Sequence, residues 1–183
     1  MDHTEYIVEI KKVIKPKFIE KIIPFIDKKA DKNLTVKQGL NTNIRNVIGH
    51  TLKSDRNKTD TFYFNLIKLE IERLYMFYKV KFPLVDNKKI NQIDILKYPP
   101  GGKHDVHTDD WWEWPRQISV IMNLNDKYEG GDLIFTDQQR KKEIKRLRLE
   151  EGSIVFFPSN FMYPHGITPI KKGVRYSIVA WLH

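Results

Sequence analysis

The chain has no cysteine, which excludes a disulfide scaffold and any thiolate-bound metal centre. A transition metal here would have to be held by histidine and carboxylate. No apolar run reaches the length of a membrane span, and the opening MDHTEYIVEIKK lacks the pattern of a secretory signal. No membrane partner is expected, and a cytoplasmic location is. Glycine and proline are sparse, nine each in 183 residues, and they mark turns rather than linkers; no internal repeat is present. Acidic side chains are also in deficit, 23 against 32 basic ones, for a formal charge of +9. Such an excess suits nucleic acid or an acidic protein as a partner. However, the lysines are spread along the whole chain. The densest basic run, 140–148, is followed by Leu149, and Leu147 and Leu149 alternate with charged positions as in the half-buried strand of a solvated hairpin. The Lys-, Ile- and Asn-rich texture suits an AT-rich genome, so the cytoplasm expected is that of a bacterium or a virus-infected cell.

What is present is core-forming material, 40% hydrophobic and 12% aromatic, enough for one domain over residues 1–183. Residues 1–82 read as mainly helical. Phe18, Ile19, Ile22, Ile23 and Ile26 fall at helical spacing, with Pro24 expected to kink or divide the segment. Residues 41–50 read as polar and irregular. A longer helix is predicted over 60–78, with Thr59 or Asp60 as its cap and Phe64, Ile67, Ile71, Leu74 and Tyr78 as one apolar stripe. From residue 83 the texture changes to short strand-like runs, 90–98, 117–124, 132–136, 143–149, 153–158 and 174–182, separated by turn signals such as Pro99-Pro100-Gly101-Gly102. This pattern predicts a β sandwich or barrel preceded by helices.

His107 and Asp109 stand two apart in an extended stretch, which would place both on one face of a strand. With His165, in a turn after the apolar run 154–157, they can supply two imidazoles and one carboxylate. This is the facial set that leaves coordination positions open on a non-haem iron. Arg175, Ser177, Val179 and Trp181 share one face of the final strand. An inward arginine in so apolar a strand needs an anionic partner. A carboxylate suits its planar fork, and Ser177 can add a hydroxyl at the same end.

The ordered series Tyr98–Asp109 (YPPGGKHDVHTD), 118–125, Glu129-Gly130-Gly131-Asp132, Gly152–Pro158 (GSIVFFP) and His165–Ser177 closely resembles prolyl 4-hydroxylases of the Fe(II)/2-oxoglutarate-dependent dioxygenase superfamily. The resemblance covers roughly residues 93–181. It implies an α+β fold, a double-stranded β-helix (jelly-roll) core over 83–183 with N-terminal supporting helices. It implies Fe(II) bound by His107, Asp109 and His165, and 2-oxoglutarate and O2 as cosubstrates, with ascorbate a further candidate. Arg175 would pair with the distal carboxylate of 2-oxoglutarate, and Tyr98 would line its pocket. Two departures stand out. Asn123 replaces the tyrosine often found in relatives, leaving it as a candidate donor to the cosubstrate. His104 stands where an aromatic is common, so His104 with His107 is an alternative ligand register.

Trp111, Trp112 and Trp114 follow the ligand pair in one loop. They either line a groove for a proline-containing peptide or plug the barrel mouth, and Arg45 would border the same mouth. The reading is a hydroxylase of peptidyl proline. The alternatives are the same chemistry on another side chain, a free amino acid or a small metabolite, and a non-catalytic basic binding module. A zinc hydrolase would leave Arg175 without a purpose.

Overall fold

The computed structural model describes residues 3–34, 41–85, 89–110, 113 and 115–183. In chain order its elements are β1 (Val8–Ile10), α1 (Pro16–Lys29), β2 (Lys32–Asn33), β3 (Arg45–Asn46), β4 (Ile48–Leu52), α2 (Lys58–Lys81), β5 (Ile90–Tyr98), β6 (Lys103–His107), β7 (Ile118–Asn123), β8 (Tyr128–Gly130), β9 (Leu133–Thr136), β10 (Glu143–Leu147), β11 (Ile154–Pro158), β12 (His165–Ile167), β13 (Ile170–Gly173) and β14 (Arg175–Leu182). Seven strands form one sheet in the order β1-β11-β7-β14-β5-β4-β2, and five form a second in the order β10-β9-β12-β6-β3. Every pairing is antiparallel. This is the expected jelly roll with helices on one sheet.

The two-residue period of the strands sorts the large sheet into two faces. Ile93, Ile95, Val120, Met122, Ile154, Phe156, Ile178 and Ala180 point to one side and pack with Ile22 and Ile26 of α1 and Ile67, Ile71 and Leu74 of α2. Leu96, Ile121, Val155 and Phe157 point to the other, where they meet Leu133, Phe135 and Ile167 of the small sheet. The polar residues Asp94, Ser119, Asn123, Arg175 and Ser177 occupy alternating positions on this second side, and all are buried. The helix core backs the sheet on one side, and the inter-sheet core with the buried polar residues lies on the other.

The helices differ from expectation in detail. α1 continues through Pro24. The proline lies on the exposed side, while buried Ile22, Phe25 and Ile26 on either side of it hold the segment to the sheet. α2 runs from Lys58 to Lys81, and its cap is Asn57, whose side chain accepts the Asp60 N–H at 2.9 Å. Asp60 instead sits in the first turn, buried against His50 at 3.0 Å. Residues 41–50, read as irregular, contribute β3 and the start of β4. Arg45 pairs with His104 of β6, and β4 runs beside β5 from Ile48 to Leu52. The first eighty residues therefore add strands to both sheets as well as helices.

The basic run also takes its predicted form. β10 pairs with β9, and Lys145, Arg146 and Arg148 are engaged within the chain. Arg146 meets Asp132 at 2.8 Å, Lys145 donates to the carbonyls of Thr4 and Ile7, and Arg148 donates to those of Tyr128 and Gly130. No helix among the described residues is long and apolar enough to cross a membrane.

Candidate active site

β6 and β12 are neighbours in the small sheet, with His107 opposite His165. Asp109 lies just beyond the end of β6 rather than on the strand, and His165 opens β12 rather than lying in a turn. The carboxylate nevertheless turns inward. His107 Nε2 is 3.5 Å from Asp109 Oδ1, and His165 Nε2 is 3.5 Å from Asp109 Oδ2. The three ligand atoms lie within 4.8 Å of one another.

The other nitrogen of each ring is already committed. His107 Nδ1 donates to the Asp105 carbonyl at 2.8 Å, and His165 Nδ1 donates to that of Tyr163 at 3.0 Å. These bonds select the Nδ1–H tautomer and turn the Nε2 lone pairs toward Asp109, the orientation a metal requires. Burial pushes the His165 imidazole down to about 4, although Asp109 opposes the shift. Burial alone would raise the Asp109 carboxyl, but His165, His107 and the Ser119 hydroxyl hold it well below the usual carboxylate range. A neutral imidazole beside an ionised carboxylate is the state that ligates a divalent cation. The donor set fits iron.

His104 lies outside this trio. Its ring stacks on His107, centroids 3.7 Å apart, and burial followed by the proximity of His107 holds it neutral. The register His107-x-Asp109 is therefore the one that converges with His165.

Sequence patterns did not single out the hydroxyl chain behind Asp109. Ser119 Oγ donates to Asp109 Oδ2 at 2.7 Å, and Ser159 Oγ lies 2.8 Å from Ser119 Oγ, with both serines buried. The available signal was a serine at an inward position of the apolar run Ile118–Asn123. Ser119→Ala should weaken Mn(II) or Co(II) binding by roughly 10- to 100-fold, the usual cost of losing a partner behind a ligand. Titration of the metal-free protein reads this directly; unchanged affinity would make the bond incidental.

Arg175 is 1% exposed. Its Nη1 donates to Ser177 Oγ at 3.2 Å, whereas its Nε and Nη2 have no hydrogen-bond partner. Tyr98 lies alongside, its ring 5.2 Å from the guanidinium carbon, and burial raises its phenol so that it stays a donor. Gly131, at φ +68°, makes room here: a Cβ would meet Ile170 Cδ1 and lie 3.2 Å from Arg175 Cδ. Arg175, Tyr98 and the trio line one cavity of about 980 Å³.

Asn123 does not take the expected place. Its amide nitrogen donates to the carbonyls of Asn125 (2.6 Å), Leu149 (3.2 Å) and Glu150 (3.3 Å), and its oxygen accepts from Tyr128. With its amide engaged on both sides, it ties the loop after β7 to the turn before β11 instead of facing a ligand.

The outer wall of the cavity brings Arg45, predicted for the mouth, together with Asp94, Arg116 and Trp181. Arg45 lies 3.9 Å from Asp94, whose Oδ1 accepts from Thr51 and Gln92. The Arg116 guanidinium stacks on the Trp181 indole at 3.7 Å. Trp111, Trp112 and Trp114 lie outside the described residues.

The family model of the 2OG-Fe(II) oxygenase superfamily matches residues 93–183. Prolyl 3-hydroxylase 2 of Homo sapiens is 29% identical over 92 residues, covering 43% of this chain and 13% of that protein. A PKHD-type hydroxylase of Synechococcus sp. (strain CC9902) is 33% identical over 99 residues, covering 52% and 42%. The chain thus spans less than half the length of these curated relatives. Among solved structures, a Trichoplax adhaerens prolyl hydroxylase in complex with a hypoxia inducible factor peptide fragment aligns with TM-score 0.77 at 16% identity, over 98% of this chain and 84% of that one. A Pseudomonas putida prolyl-4-hydroxylase aligns with TM-score 0.74, also at 16% identity, over 97% and 92%. At such identity the two structures speak for the fold, while the sequence match covers the segment holding His107, Asp109, His165 and Arg175. The chain belongs to the 2OG-Fe(II) oxygenase superfamily, whose members use Fe(II), 2-oxoglutarate and O2.

Proposed function

We propose that this protein is an Fe(II)- and 2-oxoglutarate-dependent dioxygenase that hydroxylates peptidyl proline. The observation that carries the cosubstrate assignment is Arg175, a buried guanidinium with two unpartnered donor nitrogens in the same cavity as the His-Asp-His cluster. Such a group is costly unless an anion meets it, and a dicarboxylate that reaches a metal from this arginine satisfies both ends at once. Iron bound by His107, Asp109 and His165 would supply the superfamily's chemistry, in which 2-oxoglutarate and O2 yield succinate, CO2 and a hydroxylated substrate. Arg175, oriented by Ser177, would grip the distal carboxylate, and Tyr98 would offer a protonated hydroxyl beside it. Ser119 would hold the carboxylate ligand in place.

The peptidyl substrate is supported by the prolyl hydroxylases among the relatives and by the outer wall. There the Trp181 indole lies under the Arg116 guanidinium, and its Nε1 has no hydrogen-bond partner. A peptide backbone brings the carbonyl acceptors such a wall can use. Asp94 favours a second reading. A buried carboxylate on the cavity wall suits the ammonium of a free amino acid.

Anaerobic loading with Fe(II) and 2-oxoglutarate, followed by O2 and a panel of proline-containing peptides and free amino acids, tests both readings. Succinate formed together with one added oxygen on a peptidyl proline is the expected result. Oxidation of a free amino acid alone would transfer the assignment to the second reading. Absence of iron binding and of succinate would end the oxygenase assignment.

A further inference from the structure

Helix α2 has two apolar faces, and the jelly roll covers one of them. Phe64, Ile67, Ile71, Leu74 and Tyr78 pack on the large sheet. On the opposite side Phe62, Leu69, Met76, Phe77 and Val80, with Leu84 just past the helix, stand between 54% and 97% exposed. Elsewhere among the described residues the exposed large hydrophobic side chains are the isolated Ile144 and Phe161. A contiguous stripe of this kind marks an interaction surface.

The spacing identifies the partner. Positions 62, 66, 69, 73, 76 and 80 recur at intervals of four, three, four, three and four, and they read Phe, Leu, Leu, Arg, Met, Val. That is the heptad seam by which one helix meets another, not the broader stripe that lies on a sheet. We infer that this face joins two copies of the chain through an antiparallel α2–α2 pair. The orientation follows from Arg73. Side by side in parallel, Arg73 would meet its own copy inside an apolar seam. Antiparallel, with Phe62 opposite Val80 and Leu66 opposite Met76, it lies opposite Leu69 and is flanked by Glu70 and Glu72 of the other helix. Within one copy Arg73 already pairs with Glu70 at 2.7 Å and donates to the Val13 carbonyl at 3.2 Å, so its charge is balanced before the helices meet.

The dimensions also suit a dimer. The 24 residues of α2 give a seam roughly 36 Å long. Side chains of this size, more than half open, present on the order of 600 Å². The helix flanks bring this toward the roughly 800 Å² per partner of a stable interface. Because both copies use the same patch, the pair closes on itself under two-fold symmetry.

Sedimentation of the full chain over a roughly hundredfold concentration range should show a monomer–dimer equilibrium. Leu69→Glu and Val80→Glu should each raise the dimer dissociation constant by at least about 100-fold. Both sites are exposed, so circular dichroism and the melting temperature of the monomer should stay near wild type. The cysteine-free background gives an orientation test. Under oxidation, Phe62→Cys protein mixed with Val80→Cys protein should form the mixed disulfide faster than either forms its own. A monomer at every concentration would overturn the inference, as would a dimer indifferent to both glutamates. Faster formation of like-with-like disulfides would overturn the antiparallel pairing. Flotation of a monomer with anionic vesicles, lost in Leu69→Glu, would assign the stripe to a membrane surface instead.

Discussion

Arg175→Met should lower the affinity for 2-oxoglutarate and raise the melting temperature of the ligand-free protein. The two effects share one cause. Arg175 is 1% exposed, with one hydrogen bond to Ser177 and two donors unmet. The Tyr98 ring at 5.2 Å offsets only part of that cost. An unmet buried cation typically costs several kcal/mol, and an apolar side chain of similar length relieves it. The same change removes the partner of the cosubstrate's distal carboxylate. Truncating one member of such a pair costs about 2–5 kcal/mol, so binding should weaken at least about 30-fold. Calorimetric titration of the metal-loaded protein, with thermal melts of the ligand-free form, measures both. A variant that melts lower and binds 2-oxoglutarate as well as wild type would show that the arginine serves the fold.

Asp109→Asn should remove metal binding with little change to the fold. Asparagine preserves the shape and can still accept the Ser119 hydrogen bond, but it lacks the single negative charge of the trio. That charge balances the cation, and its loss should exceed the 10- to 100-fold typical of changes behind a ligand. In wild type, Mn(II) at a hundred times its dissociation constant should add about 2.7 kcal/mol of stability, and in Asp109→Asn this increment should vanish. Thermal melts with and without Mn(II) read it out. A full metal-induced shift in the variant would move the ligand set away from Asp109.

The legible parts of the chain are those where side-chain type and period agree. Ile90–Tyr98 and Arg175–Leu182 were readable as long β-rich runs, and Ile154–Pro158 as a short continuous apolar run between turn signals. The order that the resemblance supplied named His107, Asp109, His165 and Arg175 together, and the structure brings them to one cavity. The short strands were not. β3 and the start of β4 look irregular because their regularity comes from β6 and β5, which pair with them from far along the chain. His165-Gly166-Ile167 is too short to show a period, and it becomes a strand only between β6 and β9. Asn123 was misplaced for a related reason. Its residue type and strand face were clear, but the carbonyls of Leu149 and Glu150 that claim its amide arrive with a distant loop. The outer stripe of α2 was equally visible in the sequence, yet only the sheet on the opposite side shows that it is left over.

The alternation along β5, β7 and β14 also has a consequence for folding fidelity. In these strands each polar residue of the site is one position away from a residue of the helix core. A pairing error of one residue would drive Asp94, Ser119 or Arg175 against α1 and α2 and turn Ile93, Val120 or Ile178 into the cavity. An arginine or aspartate among isoleucines has no partner to meet it, so each misregistered sheet carries a penalty that the correct one avoids. The side chains that equip the cavity also proofread the assembly of the sheet that holds them.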